Sequence, residues 1–262
     1  MKKYKYVVTV GCSFTVDPPH NSNEFNLPTE GKSYGRLIAE HFGAKYYELA
    51  TCGYSIQGMN RRTLEWSSKN KDKFKDTLII VGMTSVGRIE IWNNKLNSWH
   101  NDSEHFQPPN SLFDQFKDHL MIYWTAEQRK NYFVNFYNDN AEFLLATNII
   151  IGLQSFLTLN NIDHVFFDAM GPIDNHWDKV TAPLSSFANG NCYDKEDKLG
   201  HKLLFDSLVS YENWYKHPEW PSMAHFTILN PEMRVSENDS HPNKKAHKYW
   251  ADCLLEYIEE LI

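Results

Sequence analysis

Two short runs of strand-forming residues constrain the fold of this chain most strongly. Residues 7–10 read Val-Val-Thr-Val and residues 77–81 read Thr-Leu-Ile-Ile-Val, and a glycine follows each run directly. Neither run alternates apolar with polar residues, which is the pattern of a strand buried on both faces of a parallel sheet. Such a strand needs helices above and below it, so the two runs predict an α/β architecture.

The other segments supply the remaining elements of that architecture. Helical spacing of apolar residues predicts helices at 34–42, about 59–67, 135–159, about 199–210 and from 244 to the end. Further strands are predicted at 45–50, 163–169 and 226–229. Strands that alternate with helices in this way predict a parallel sheet with right-handed crossovers.

The 262 residues, 42% of them hydrophobic, fit one large α/β domain or at most two small ones. We interpret residues 1–262 as a single domain. Two stretches, at about 92–130 and 171–225, are irregular and rich in polar residues and tryptophan, and we expect insertions there that shape a site.

Composition and charge exclude several classes of protein. The net charge of −7 with no basic run argues against binding to nucleic acid or to an anionic membrane surface. No apolar stretch approaches the roughly 20 residues of a membrane span. The first residues lack the apolar core of a signal peptide, so we expect a cytoplasmic location. The four cysteines match no zinc pattern and are expected to be reduced thiols.

Polar residues gather where the chain leaves the predicted strands or enters the last helix. Because the carboxyl ends of parallel strands meet at one edge of a sheet, these residues are expected to converge there. They are Ser13, Gly53, Thr84, Ser85, Asp239 and His241.

A serine, a histidine and an aspartate in such a cluster indicate nucleophilic catalysis. Ser13 needs a neighbouring base to take its proton, and His241 suits that task near neutral pH. Asp239, two residues earlier, could fix the tautomer of the imidazole. The developing oxyanion needs donors, for which the candidates are the backbone N–H groups of Ser13 and Gly53 and the side chain of Thr84.

These segments resemble the SGNH (GDSL-like) hydrolases and, more narrowly, the divergent SGNH-like proteins of tailed bacteriophages. Residues 11–15 (Gly-Cys-Ser-Phe-Thr) resemble the first block of the family, with Ser13 as nucleophile. Residues 49–55 resemble the second block, with Gly53 as the oxyanion glycine, and residues 81–85 lie where the family has Gly-x-Asn-Asp. Residues 239–243 (Asp-Ser-His-Pro-Asn) resemble the last block. The blocks stand in the family's order and span nearly the whole chain.

The resemblance implies a three-layer α/β/α sandwich with a flavodoxin-like parallel sheet in the order 2-1-3-4-5. It also implies a serine esterase without metal or organic cofactor, acting on ester-linked acyl groups such as carbohydrate O-acetyl groups. Two departures bear on activity. Thr84 replaces the asparagine of the third block, and the family's usual aspartate position, three before the histidine, holds Asn238.

Several residues have an alternative interpretation. His241 and Asp239 could serve only the start of the last helix, and Thr84 and Ser85 could be turn residues. Ser85 and Arg88 are candidate substrate-binding residues, with Arg88 binding a carboxylate of the substrate or forming a surface ion pair. His164 is expected to be structural. The alternation of Asp174, His176 and Asp178 could mark metal ligands, although a polar surface loop is the simpler interpretation. The tryptophans of 171–225 could form a platform for sugars or pack the insertion.

Two other functions remain open at the level of sequence. One is a glycan-binding or virion structural module that keeps the fold without catalysis, which the replacement at Thr84 favours. The other is an O-acyltransferase, in which a sugar hydroxyl replaces water. The expected partner in each case is a small-molecule or carbohydrate ester or a glycan, and association with a virion is part of the phage resemblance.

Overall fold

The computed structural model of the protein describes residues 3–17, 31–93, 97–103, 131–132, 135, 139–171, 201–237 and 239–261. The strands are β1 (Tyr6–Val10), β2 (Lys45–Glu48), β3 (Thr77–Met83), β4 (Arg88–Asn93), β5 (Ser98–Ser103), β6 (Asp163–Asp168), β7 (Trp214–Tyr215), β8 (Arg234–Ser236) and β9 (Asp239–Pro242). The helices are α1 (Tyr34–Phe42), α2 (Ile56–Lys69), α3 (Asp139–Leu159), α4 (His201–Leu208), α5 (Met223–Leu229) and α6 (Lys244–Leu261). Short 3₁₀ turns span Lys71–Asp76 and Pro231–Met233.

The centre of the fold is a five-stranded sheet in the order β2-β1-β3-β6-β7. Each neighbouring pair in this sheet is parallel. With the strands of this sheet numbered along the chain, this is the order 2-1-3-4-5, so the predicted α/β class and sheet order are confirmed, although the fifth strand is not the predicted segment. β1 lies inside the sheet, with Val8 opposite Tyr47 on one side and Ile79 on the other.

Two separate hydrophobic clusters cover the two faces of the sheet. Val7 and Leu78 face one cluster together with α1, α5 and α6, whereas Val8 and Ile79 face the other together with α2, α3 and α4. Successive strand residues point to opposite faces. Each fully buried aliphatic side chain contributes roughly 1.5–3 kcal/mol to the stability of the fold, relative to leaving that side chain exposed. This arrangement is the predicted three-layer α/β/α sandwich.

The helices around the sheet begin at residues that satisfy their first backbone N–H groups. The Ser33 and Ser55 hydroxyls accept hydrogen bonds from the N–H groups of Arg36 and Gly58. The cap at Ser55 explains why α2 begins at residue 56 and not at the predicted residue 59. The side chain of Asn243 accepts from two N–H groups at the start of α6.

The prediction of a strand at 226–229 is wrong, because these residues belong to helix α5. Ser222 caps this helix, and its buried residues recur at the helical positions Met223, Ala224, Phe226 and Thr227. A four-residue apolar run is too short to distinguish a strand from a helix turn. The fifth strand of the sheet is instead β7, where Trp214 and Tyr215 pair with Phe166 and Phe167.

The stretch predicted as an irregular insertion at 92–130 starts within a regular hairpin. β4 and β5 pair in antiparallel register, with Trp92 opposite Trp99. Ile89 and Ile91 alternate with polar residues along β4, a strand signal that the sequence analysis did not use. Residues 104–130 and 172–200 lie outside the described residues, and so do Asp174, His176 and Asp178.

Helix α3 corrects the expectation that no segment is apolar enough for a membrane span. Residues 141–159 have a mean hydropathy of 1.5 and by length and composition alone could cross a bilayer. In this structure Phe143, Ile150 and Leu157 are buried in the cluster beside the sheet. A helix buried in a protein core meets the same two criteria.

Gly35 provides a test of the packing between α1 and β1. A Cβ atom at this position would lie 2.1 Å from Thr9 Cγ2 and 3.1 Å from a ring carbon of Tyr46. Gly35→Ala should therefore lower the free energy of unfolding by about 1–3 kcal/mol in urea denaturation. The matched control is Gly152→Ala, where no atom lies within 4 Å of the added Cβ and helix α3 should gain about 0.5–1 kcal/mol. Equal effects at the two positions would contradict the packing described here.

Candidate active site

Ser13 lies in a tight turn at the carboxyl end of β1. The Thr15 N–H donates to the carbonyl oxygen of Cys12 at 2.9 Å, which closes the turn around Ser13. Ser13 is buried, with 5% of the residue exposed. Because β1 is hydrogen-bonded on both sides, the backbone that carries this serine is held firmly.

Asp239 and His241 lie on β9, which forms a small antiparallel ribbon with β8. Side chains two residues apart on a strand point to the same side. Because one residue separates them on the strand, the carboxylate of Asp239 and the imidazole of His241 lie next to each other on the same side. A spacing of three residues, which is usual in SGNH hydrolases, is not needed for that contact.

The three side chains are joined by two hydrogen bonds. His241 Nε2 lies 2.9 Å from Ser13 Oγ, and His241 Nδ1 lies 2.6 Å from Asp239 Oδ1. An ionised carboxylate only accepts hydrogen bonds, so Nδ1 carries the proton in the neutral ring. Nε2 is then the acceptor for the Ser13 hydroxyl, which is the arrangement a general base requires.

Two further contacts fix the orientation of the His241 ring. The backbone N–H of His241 donates to the same Asp239 oxygen at 2.9 Å. The ring of Phe14 packs against the imidazole with 5.0 Å between their centroids. Because Phe14 follows the serine directly, the turn that carries Ser13 also contacts the ring that faces it.

The loop that contains Gly53 lies beside the turn that carries Ser13. The Thr51 N–H donates to the Gly11 carbonyl at 3.2 Å, which extends the pairing of β1 and β2 by one more bond. Gly53 has a φ of 77°, a left-handed conformation that favours glycine. The structure thus brings the two loops assigned to the oxyanion site together through their backbones.

The hydroxyls of Thr84 and Ser85 already have partners within the protein. Thr84 is fully buried, and its Oγ1 donates to Met170 Sδ at 3.2 Å. The Ser85 hydroxyl accepts from the Gly87 N–H at 3.3 Å, which is the contact of a turn residue. A thioether is a weak acceptor, so the Thr84 hydroxyl loses only a weak hydrogen bond if it turns to another partner.

Two buried residues that were not predicted from the sequence pack against the turn that carries Ser13. The Tyr34 hydroxyl donates to Thr15 Oγ1 at 3.1 Å, and both residues are fully buried. A Cβ at Gly11 would lie 2.0 Å from Thr15 Oγ1, and a Cβ at Gly82 would lie 2.9 Å from the Tyr34 hydroxyl. The glycines that end β1 and β3 therefore make room for this pair, and only their position directly after a buried strand signals it.

The structure gives several other singled-out residues a structural setting. His164 is buried, its Nδ1 lies 2.8 Å from the Ile162 carbonyl, and burial lowers its pKa. Trp214 is a core residue that stacks on Phe166, and Trp220 packs against Phe226. Among the described residues, no group of three or more His, Cys, Asp or Glu side chains could hold a metal ion.

The sequence matches no family model, and no curated protein matches it. Similar solved structures include a member of the lipolytic G-D-S-L family from Veillonella parvula, with 10% identity, 96% coverage of both chains and a TM-score of 0.45. A catalytic mutant of Axe2, an acetylxylan esterase from Geobacillus stearothermophilus, has 10% identity, coverage of 98% of this chain and 95% of that chain, and a TM-score of 0.47. The esterase EstA from Pseudoalteromonas sp. has 11% identity, coverage of 98% and 97%, and a TM-score of 0.46.

The thiol of Cys52 offers a test of the geometry around the Gly53 loop. Burial raises the pKa of this thiol to about 11, although the residue is exposed overall, and the nearby charge of Arg88 acts in the opposite direction. A raised pKa keeps the thiol protonated, so alkylation by iodoacetamide should be slow at pH 8 and accelerate until the pH passes about 11. Arg88→Gln should raise that pKa further and slow alkylation at pH 8, as measured by peptide mass spectrometry. Alkylation with the pH dependence of an unperturbed thiol would contradict the described loop.

Proposed function

We propose that the protein is a serine esterase that hydrolyses ester-linked acyl groups through an acyl-enzyme. The observation that carries this proposal is the continuous hydrogen-bonded path from Ser13 through His241 to Asp239, with distances of 2.9 and 2.6 Å. If Asp239 and His241 served only the start of the last helix, they would not form a hydrogen-bonded path to a buried serine 228 positions away in the chain.

The first half of the reaction uses each member of this path once. Ser13 Oγ attacks the carbonyl carbon of the ester while its proton passes to His241 Nε2. The imidazolium that forms is stabilised by Asp239, which stays ionised throughout. The tetrahedral intermediate then collapses, the bond to the alcohol breaks, and the alcohol leaves with the proton from Nε2.

The second half repeats these steps with water in place of Ser13. Water gives a proton to His241 Nε2 and attacks the acyl carbon. The tetrahedral intermediate then collapses, the bond between the acyl carbon and Ser13 Oγ breaks, Oγ takes the proton from Nε2, and the free acid leaves. We propose the backbone N–H groups of Ser13 and Gly53 as the main oxyanion donors. The Thr84 hydroxyl is the third donor after it turns away from the weak acceptor Met170.

The proposed substrates are carbohydrate O-acetyl esters or other small acyl esters. The fate of the acyl group separates hydrolysis from transfer. When a sugar acceptor is added, an acyltransferase would release less free acid, because the acyl group passes to the sugar instead of to water. A second candidate function, glycan binding without catalysis, is favoured by one observation, the contact of the Thr84 hydroxyl with Met170. Reaction with a serine-directed probe distinguishes the candidates.

Fluorophosphonate labelling of the purified protein, read by intact mass, tests the proposal directly. We expect one adduct on the wild-type protein, because an activated serine displaces the leaving group of the probe. Ser13→Ala should abolish the adduct. His241→Ala and Asp239→Asn should slow labelling by roughly 10⁴-fold, because each removes the activation of the same hydroxyl.

The matched control for this experiment is Ser68→Ala. The Ser68 hydroxyl is exposed on α2 and donates to the Glu65 carbonyl. This variant should label like the wild-type protein. A folded wild-type protein that takes no adduct would refute the catalytic proposal and favour glycan binding.

Thr84→Val tests the proposed third oxyanion donor. Valine keeps the shape of threonine but lacks the hydroxyl, so turnover of an aryl acetate should fall by about 10²–10³-fold if this donor stabilises the oxyanion. Thr84→Ser keeps the hydroxyl and should retain most of the activity. An unchanged kcat in a Thr84→Val protein with normal thermal unfolding would leave only the two backbone donors in the oxyanion site.

A further inference from the structure

Arg88 carries a positive charge that no carboxylate of the described chain neutralises. The guanidinium is half-buried at the start of β4, and its hydrogen bond is a long one, with Nη1 3.4 Å from the Tyr54 carbonyl. Among the acidic side chains that the structure describes, which do not include those of Asp102 and Asp139, none forms an ion pair with Arg88. Arg61 is a contrast, because it forms ion pairs with Glu65 and Glu90. A partly buried guanidinium that has no carboxylate partner among the described side chains has its donors available for a carboxylate of a ligand.

This charge lies beside the proposed oxyanion loop. Arg88 contacts the carbonyl of Tyr54, which directly follows Gly53, and the same loop is bonded to Gly11 through Thr51. Its charge also acts on the pKa of the Cys52 thiol, against the larger effect of burial. An anion held by Arg88 would therefore lie next to the edge of the sheet at which Ser13 is placed.

Two exposed tryptophans lie farther along the same hairpin. Trp92 on β4 and Trp99 on β5 are 40% and 43% exposed, and their rings meet edge to face at 5.2 Å. The guanidinium of Arg61 lies 5.8 Å from the centroid of the Trp99 ring, and Glu90 holds that guanidinium in place. Exposed, preordered indole rings of this kind mark a binding surface.

Strand geometry aligns these groups in a row. Arg88, Glu90 and Trp92 alternate along β4 and so face the same side of the hairpin. Four residues at roughly 3.3 Å each put Trp92 about 13 Å along the strand from Arg88. The row thus begins with the cation beside the proposed oxyanion loop and ends with an aromatic pair. Its length of about 13 Å matches a short oligomer and not a single acyl group.

We propose that the β4–β5 hairpin binds an acidic carbohydrate, with a uronic acid carboxylate on Arg88 and sugar rings on Trp92 and Trp99. This inference rests on the proposed function and names its substrate class. A guanidinium matches the two oxygens of a carboxylate, and indole faces suit the C–H faces of sugars. One guanidinium suits one carboxylate of the bound sugar segment.

Binding of polygalacturonate to the Ser13→Ala protein tests the proposal without turnover. Fully methyl-esterified polygalacturonate is the matched ligand, because it keeps the sugar and masks the carboxylate. We expect the acid form to bind at least tenfold more tightly in isothermal titration calorimetry. Its affinity should fall as NaCl is added, whereas the affinity of the esterified form should not.

Variants in the Ser13→Ala background locate the binding site. Arg88→Gln should remove the preference for the acid form, and Trp92→Ala or Trp99→Ala should weaken both forms. Arg62→Gln on α2 removes the same charge from a residue paired with Glu65 and should change neither affinity. Equal binding of the two polymers, or an Arg88→Gln protein that behaves like Arg62→Gln, would overturn the proposal.

The two proposals fail in different ways. A protein that takes the fluorophosphonate but shows no acid preference refutes the hairpin assignment and leaves the esterase proposal intact. A protein that binds polygalacturonate through Arg88 but takes no fluorophosphonate refutes the esterase, and supports the hairpin as an acidic-glycan surface on a non-catalytic module.

Discussion

The double pairing of β1 is the constraint on which the rest of the structure depends. This strand forms parallel hydrogen bonds with β2 and β3 at once, and its valines are buried on both faces. The backbone at its carboxyl end therefore has little freedom, and the same is true of the turn that follows. That constraint fixes the position of Ser13, and the additional hydrogen bond between Thr51 and Gly11 fixes the position of the Gly53 loop.

The opposite half of the site comes from an element outside the sheet. The β8–β9 ribbon is anchored by Asn243, whose side chain donates to the carbonyls of Glu232 and Arg234 while it also caps α6. That anchoring joins the ribbon to a helix packed on the core. It explains how a half-buried pair, Asp239 and His241, can face a serine that is almost fully buried, and why the geometry does not require the spacing usual in SGNH hydrolases.

The hairpin β4–β5 adds a surface to this framework. It leaves the sheet directly after β3, so its first residue, Arg88, lies near the site for the same topological reason that Thr84 does. Its far end carries the tryptophan pair away from the core. In the proposed function, the sheet holds the reacting groups in place, and in the further inference the exposed hairpin contacts the rest of the substrate.

The sequence by itself determined the α/β class and most of the strands and helices, because buried strands and helix caps have strong local signals. The order of the strands came from the resemblance to the SGNH hydrolases and not from those local signals. The sequence could not assign the 226–229 run, where a short apolar segment fits either a helix or a strand, nor the regular hairpin in the expected insertion. Only the tertiary structure decided the contact of His241 with Ser13 and the partner of Thr84. Those contacts join residues far apart in the chain, and their distances depend on packing that no local pattern encodes.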